Sequence, residues 1–292
     1  MSHARRQPLD PERRAARARD AWGALLVVAA GIAVTSGGMR LVSEAHRGAV
    51  VSTVYSAWLG FALWYALRQG SLATVGLSGR RFWLALGLAV PVSILLVLGT
   101  LGDPTMKGAT LAVPAALELM TMVLISFTAA LAEQLAIIGY LQLRFEEAFG
   151  RLAGILVSAT MFTVFHLVLL WLPGAVPPQG AGLGQLALGL FIGLALWAGV
   201  FTYTRNVWAL ALAAGLNSLL LNLYRLNVRP EEVLINDPSS LTSGIPLLLG
   251  CLFAIWLVSR MIAASRGPSA GPAAVAEPAA PAAVAGPTSG DA

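Results

Sequence analysis

The chain has 292 residues, of which 57% are hydrophobic and only 11% charged, with a formal net charge of +5. A soluble domain needs roughly a quarter of its residues charged to cover its surface, so this surface must face lipid instead. The single cysteine, Cys251, excludes a disulfide framework and a thiolate metal site.

A hydrocarbon core about 30 Å thick takes roughly 20 apolar residues per helical span. Inside it only helices and closed barrels satisfy their own backbone polar groups. The apolar runs are long and lack the alternation of barrel strands. The predicted fold is therefore all-α, a polytopic membrane bundle of about eight transmembrane helices. In chain order the spans are expected at 21–38, 49–67, 82–101, 114–143, 152–172, 184–203, 206–224 and 244–264. The tight connection at 203–206 is the hardest boundary to place.

Before the first span, residues 1–20 form a basic tail with Arg5, Arg6, Arg13, Arg14, Arg17 and Arg19. The tail and the first apolar run resemble a cleavable signal, but the length of the run and the charge pattern predict a retained span. Arg68, Arg80 and Arg81 follow span two, Arg144 and Arg151 span four, Arg205 span six, and Arg260 and Arg266 span eight. Arginine on alternate loops predicts that both termini are cytoplasmic, and the expected location is the plasma membrane of a bacterial cell. Arg225 and Arg229 fall on the opposite side, where Glu231, Glu232 and Asp237 accompany them. The basic tail reads as an orientation signal, with no nucleic-acid partner expected. Trp22, Trp58, Trp64, Trp83 and Trp171 fall toward span ends and read as interfacial anchors. Pro91 is the obvious mid-span breaker in span three. Residues 265–292, rich in Pro, Ala and Gly, read as a disordered cytoplasmic tail.

Ionisable groups in hydrocarbon cost several kcal/mol and default to a functional hypothesis. Glu133 falls in span four, His166 in span five, and Asn217 and Asn222 in span seven, while Glu118 sits near the outer end of span four. By helix rise Glu133 lies about 16 Å from Arg144, His166 about 22 Å from Arg151 and Asn217 about 16 Å from Asn206, so one layer can hold all three. An acid, an imidazole and an amide at one depth can hold a water, take its proton and donate to a developing oxyanion. Asn in a membrane helix is also common interhelical glue, a membrane histidine is often a packing residue, and Glu133 would equally suit a proton relay. Burial disfavours the charged form of a carboxyl, so Glu133 needs His166 or a water-filled cleft beside it to act as a base.

These residues resemble the motifs of the CAAX-protease and bacteriocin-processing family of intramembrane proteases (CPBP, also called Abi). That family typically carries E-E-x-x-x-R-G on one helix, F-x-x-x-H on the next and H-x-x-x-N on a later one. Here the first motif reads Glu133-Gln134-Leu135-Ala136-Ile137-Ile138-Gly139, and the second, Phe162-Thr163-Val164-Phe165-His166, is intact. The third falls in span seven, and the resemblance covers roughly residues 114–225 of the transmembrane domain at 21–264. Gln134 and Ile138 replace the family's second Glu and its Arg together, as expected of an ion pair exchanged for neutral packing. The third-motif histidine is alanine in either register. Ala213 keeps Asn217 as the motif's asparagine, whereas Ala214 fits the flanking Val207-Trp208 and puts Ser218 there.

The resemblance implies a CAAX-protease-like bundle and a glutamate-type endopeptidase. Glu133 would be the general base, His166 its partner in water activation or oxyanion binding, and Asn217 an oxyanion donor. The implied substrate is a membrane protein or a lipidated peptide at the bilayer. The family has carried a metalloprotease label, but no cofactor is expected, because one histidine and one or two oxygens make a poor zinc site. Two other readings stand beside this one. One is a non-catalytic relative that binds or scaffolds a membrane partner. The other is a proton-coupled transporter using Glu133, against which the absence of a clear internal repeat counts.

Overall fold

The computed structural model describes residues 10–42, 44–101, 108–170, 183–228 and 253–263, and all its regular elements are helical. They are α1 (Pro11–Leu41), α2 (Glu44–Arg68), a 3₁₀ turn (Leu72–Val75), α3 (Phe82–Leu101), α4 (Ala116–Glu133), a π-helical segment (Gln134–Gln142), α5 (Leu143–Phe149), α6 (Arg151–Leu170), α7 (Leu183–Thr204) and α8 (Val207–Val228). A shorter apolar helix, α9, covers Phe253–Ala263. Among the described residues, seven helices are long and apolar enough to cross a membrane, counting Ala116–Phe149 as one. The eighth expected span, 244–264, is described only over α9, and residues 1–9 and 264–292 lie outside the described residues.

The span boundaries follow from local chemistry. α1 begins at Pro11, well before the apolar run, because Asp10 accepts the Glu12 N–H and proline occupies the first turn. Its 31 residues make a rod of about 46 Å, so its arginine-bearing end projects past the hydrocarbon. Glu118 is exposed in the first turn of α4, where its carboxylate accepts the Ala115 N–H at 3.2 Å. α3 runs through Pro91 without interruption.

The tight turn between α7 and α8 is built by Asn206. Its Oδ1 accepts the Ala209 N–H at 3.0 Å, capping α8, and its Nδ2 donates to the carbonyls of Ser78 and Arg80 at 2.6 and 2.9 Å. The Val207 N–H donates to the Gly76 carbonyl at 2.9 Å. Gly76 has φ +74 and lies against Phe201 and Val207, so the turn needs a residue without a side chain there. The 72–81 segment thus clamps the α7–α8 hairpin.

The π-helical segment is the hub of the bundle. All nine of its residues are buried, and it packs against α1, α2, α4, α5, α6, α7 and α8. Gly139 within it faces the Val75 carbonyl, which a methyl group would strike, and Val207 Cγ2. Gln134 and Ile138 are both fully buried, where a neutral pair avoids the desolvation of two charges.

Two sequence expectations change. Trp58 is not an interfacial anchor. It is 2% exposed, packs 5.1 Å from the Phe165 ring and sits over Gly31, whose lack of a side chain makes room for the indole. Trp22, Trp64 and Trp83 are exposed as anchors should be, and Trp171 lies outside the described residues. Arg144, read as a loop charge, is buried. It donates to Tyr65 Oη (2.5 Å) and the Thr74 carbonyl (3.1 Å), pairs with Glu147 at 2.8 Å and lies over the Tyr65 ring.

Candidate active site

Glu133 stands at the junction where α4 gives way to the π-helical segment. Such wide turns shift the register of side chains and concentrate at functional sites. Its carboxyl accepts a hydrogen bond from the Tyr55 hydroxyl of α2. The Tyr55 ring meets Phe165 edge-on at 6.1 Å, and Phe165 precedes His166 on α6. His166 lies within electrostatic reach of Glu133. Tyr55 and Phe165 stand between the two elements that carry the acid and the imidazole, α4 and α6.

His166 is held in a defined orientation. Its ring stacks on Phe162 at 3.9 Å and meets Phe165 edge-on at 5.7 Å. Its Nδ1 lies 3.1 Å from the Phe162 carbonyl. A carbonyl can only accept, so Nδ1 carries the proton and Nε2 of the neutral ring keeps its lone pair. The F-x-x-x-H spacing thereby acquires a physical meaning: the residue four before the histidine supplies both the stacking face and the carbonyl that fixes the tautomer.

Asn217 is placed differently. Gly215 on α8 lies against Phe127 on α4, which sets the register of this antiparallel pair. By helix rise Asn217 is then roughly 12 Å from the level of Glu133, toward the Ala116 end of α4. Its Oδ1 is buried and lacks a hydrogen-bond partner among the described residues. Leu212 and Leu216 are exposed and mark the outward face of α8. Ala214 is opposite them, with Ser218 one turn on and Asn217 about 60° to the side. Both registers thus face the interior, with Ala213 at 1% and Ala214 at 8% exposure. Ala213 and Ala214 are both buried, so neither position offers a polar group.

Sequence reasoning missed Tyr55, an unremarkable aromatic in an apolar span, although a phenol placed mid-span is a signal in principle. It also missed the network at the arginine-rich end of the bundle. There Glu146 accepts from Gln142 (2.8 Å) and Thr202 (2.6 Å) and pairs with Arg205 (2.5 Å), joining α5, the π-helical segment and α7.

The donors beside Glu133 do not fit a zinc ion. No group of three His, Cys, Asp or Glu side chains that could hold a metal occurs among the described residues, and a catalytic zinc takes three protein ligands. The chemistry the site offers is that of a carboxyl with one oxygen tied to a phenol and a tautomer-fixed imidazole nearby.

No curated protein and no solved structure matches the chain. Residues 115–220, which carry both Glu133 and His166, match the family model of the Rce1-like type II CAAX prenyl endopeptidases, the family that the motifs resemble.

Proposed function

We propose that this chain is an intramembrane endopeptidase that hydrolyses a peptide bond in a membrane protein or lipidated peptide. The observation that carries the reading is that Glu133 and His166, within electrostatic reach of one another, both fall inside the segment that matches the endopeptidase family. A water between them gives a proton to the Glu133 carboxylate as its oxygen adds to the scissile carbonyl carbon. His166, with Nδ1 tied to a carbonyl, accepts from the same water through Nε2. Glu133 then returns the proton to the leaving amine as the C–N bond breaks. Donation by His166 to the oxyanion requires the imidazolium. The resemblance assigns a further oxyanion donor to Asn217, or to Ser218 in the second register, although the level of Asn217 lies about 12 Å from that of Glu133.

The working location is the plasma membrane of a bacterial cell, with both termini in the cytoplasm and no cofactor. The test is the purified protein in lipid vesicles with a library of membrane-anchored peptides, prenylated and unmodified, and products read by mass spectrometry. Cleavage by the wild type that falls about 10²-fold or more in Glu133→Gln and in His166→Ala supports the reading. Cleavage that persists in both refutes it.

One observation favours a second reading, a binding or scaffold protein on the same fold. A buried alanine stands at both candidate positions of the third-motif histidine. Loss of one oxyanion donor typically slows an enzyme about 10²–10³-fold, which separates a slow protease from an inactive relative only by measurement.

A further inference from the structure

Tyr55 lies on α2, outside the segment at 115–220 that matches the endopeptidase family. Its hydroxyl nevertheless makes the one hydrogen bond described on the Glu133 side chain. That hydroxyl is held by packing from three helices. Tyr55 is 8% exposed, with Phe165 of α6 at 6.1 Å and Trp58 of its own helix at 6.2 Å. Trp58 in turn donates to the Val27 carbonyl of α1 at 3.4 Å and presses on Gly31. A phenol with two side-chain torsions, buried beside two aromatic rings, loses little further entropy when it holds a partner.

The arrangement divides the Glu133 carboxyl into two functions. Oε1 is occupied by Tyr55, which leaves Oε2 to receive a proton. His166 lies within electrostatic reach on the α6 side. On the α8 side, where the family motif would bring a histidine, Ala213 and Ala214 contribute nothing polar. Orientation of the carboxyl therefore falls to α2.

We propose that Tyr55 is the positioning residue of this site: it fixes the Glu133 carboxyl through Oε1 and so supplies, from outside the matched segment, an orienting contact to the acid. Its role in turnover rests on the reading of Glu133 as the general base. The contact itself does not, and the experiment separates the two.

The full-length protein in detergent is treated with dicyclohexylcarbodiimide, and the adduct on the Glu133 peptide is followed by mass spectrometry. In this reaction the carboxyl proton passes to a carbodiimide nitrogen and the carboxylate oxygen bonds to the carbodiimide carbon. A carboxyl held by a phenol is slower to react. Tyr55→Phe removes the hydroxyl and keeps the ring, so labelling of Glu133 rises roughly two- to tenfold, the range expected for one lost hydrogen bond. Phe165→Leu keeps the hydroxyl but loosens the wall behind Tyr55, and labelling rises by a smaller factor. Tyr65→Phe, whose hydroxyl serves Arg144, leaves the rate unchanged. Equal labelling of Glu133 in wild type, Tyr55→Phe and Phe165→Leu overturns the proposal. In vesicles with a cleaved peptide, Tyr55→Phe lowers kcat and leaves KM nearly unchanged. A labelling response without that kcat loss overturns the catalytic role of the contact. A wild type that cleaves nothing while labelling still responds removes the protease reading and leaves the Tyr55–Glu133 contact in place.

Discussion

Gly139→Ala is the perturbation whose sign the structure decides most sharply. In an unconstrained helix the exchange is favourable by about 0.5–1 kcal/mol, because alanine restricts the unfolded backbone more than glycine. At Gly139 the new methyl would strike the Val75 carbonyl oxygen and approach the Val75 carbonyl carbon to 3.3 Å and Val207 Cγ2 to 3.0 Å. The valine methyl can yield by a small rotation, but the carbonyl cannot. It belongs to the segment that clamps Asn206 and Val207 through the Ser78, Arg80 and Gly76 carbonyls. Overpacking of this kind costs about 1–3 kcal/mol, and the backbone obstacle puts Gly139 toward the upper part of that range. Gly87 on α3, which has nothing within 4 Å of the same methyl, is the matched control. Thermal denaturation in detergent, followed by loss of the monodisperse fraction, should show Gly139→Ala melting below wild type and Gly87→Ala at or above it. A Gly139→Ala protein as stable as wild type would refute the close approach of the 72–81 segment to the π-helical hub.

Three further outcomes follow from the same contacts. Asn206→Ala removes the α8 cap and two donors to the clamp, so stability falls by about 2–3 kcal/mol in the same denaturation assay. Glu146→Ala leaves Arg205, Thr202 and Gln142 without their shared acceptor. Because Arg205 is 39% exposed and water relieves part of the loss, the cost is about 2–3 kcal/mol, and Thr202→Val, which removes one of those bonds, costs about 1 kcal/mol. Glu133→Gln keeps an acceptor for Tyr55 and removes an ionisable group from the bilayer, so its melting stays within about 1 kcal/mol of wild type or rises. A large loss of stability in that variant would assign Glu133 to the fold instead of to chemistry.

The spans were legible because hydropathy and helix length are one constraint in a bilayer. α3 occupies 82–101 as expected, and α6, α7 and α8 begin within one residue of their predicted starts. What hydropathy cannot encode is the face a residue presents. Trp58 looked like an anchor by its distance from a span end, yet the informative residue was Gly31 on the preceding helix, which admits the indole. The stretch from Gln134 to Gln142 contains no proline and reads as ordinary helix, so nothing in its sequence marks the π-helical register. At the site, Glu133 and His166 stood out because charge is expensive in lipid. Tyr55 carries no such signal, and its role depends on the approach of a helix outside the matched segment. The two registers of the third motif differ by one residue in sequence and by about 100° around α8, and the alanines of both are buried.

The central claim is that Glu133 and His166 act as one hydrolytic site. It is tested most directly by comparing new protein N-termini in membranes of the native host expressing wild type, Glu133→Ala or His166→Ala at matched levels. The account predicts termini that arise with the wild type and vanish in both variants, and these would name the substrate. Identical profiles in all three, together with a deletion phenotype that Glu133→Ala rescues, would contradict it and establish a protein that works by binding.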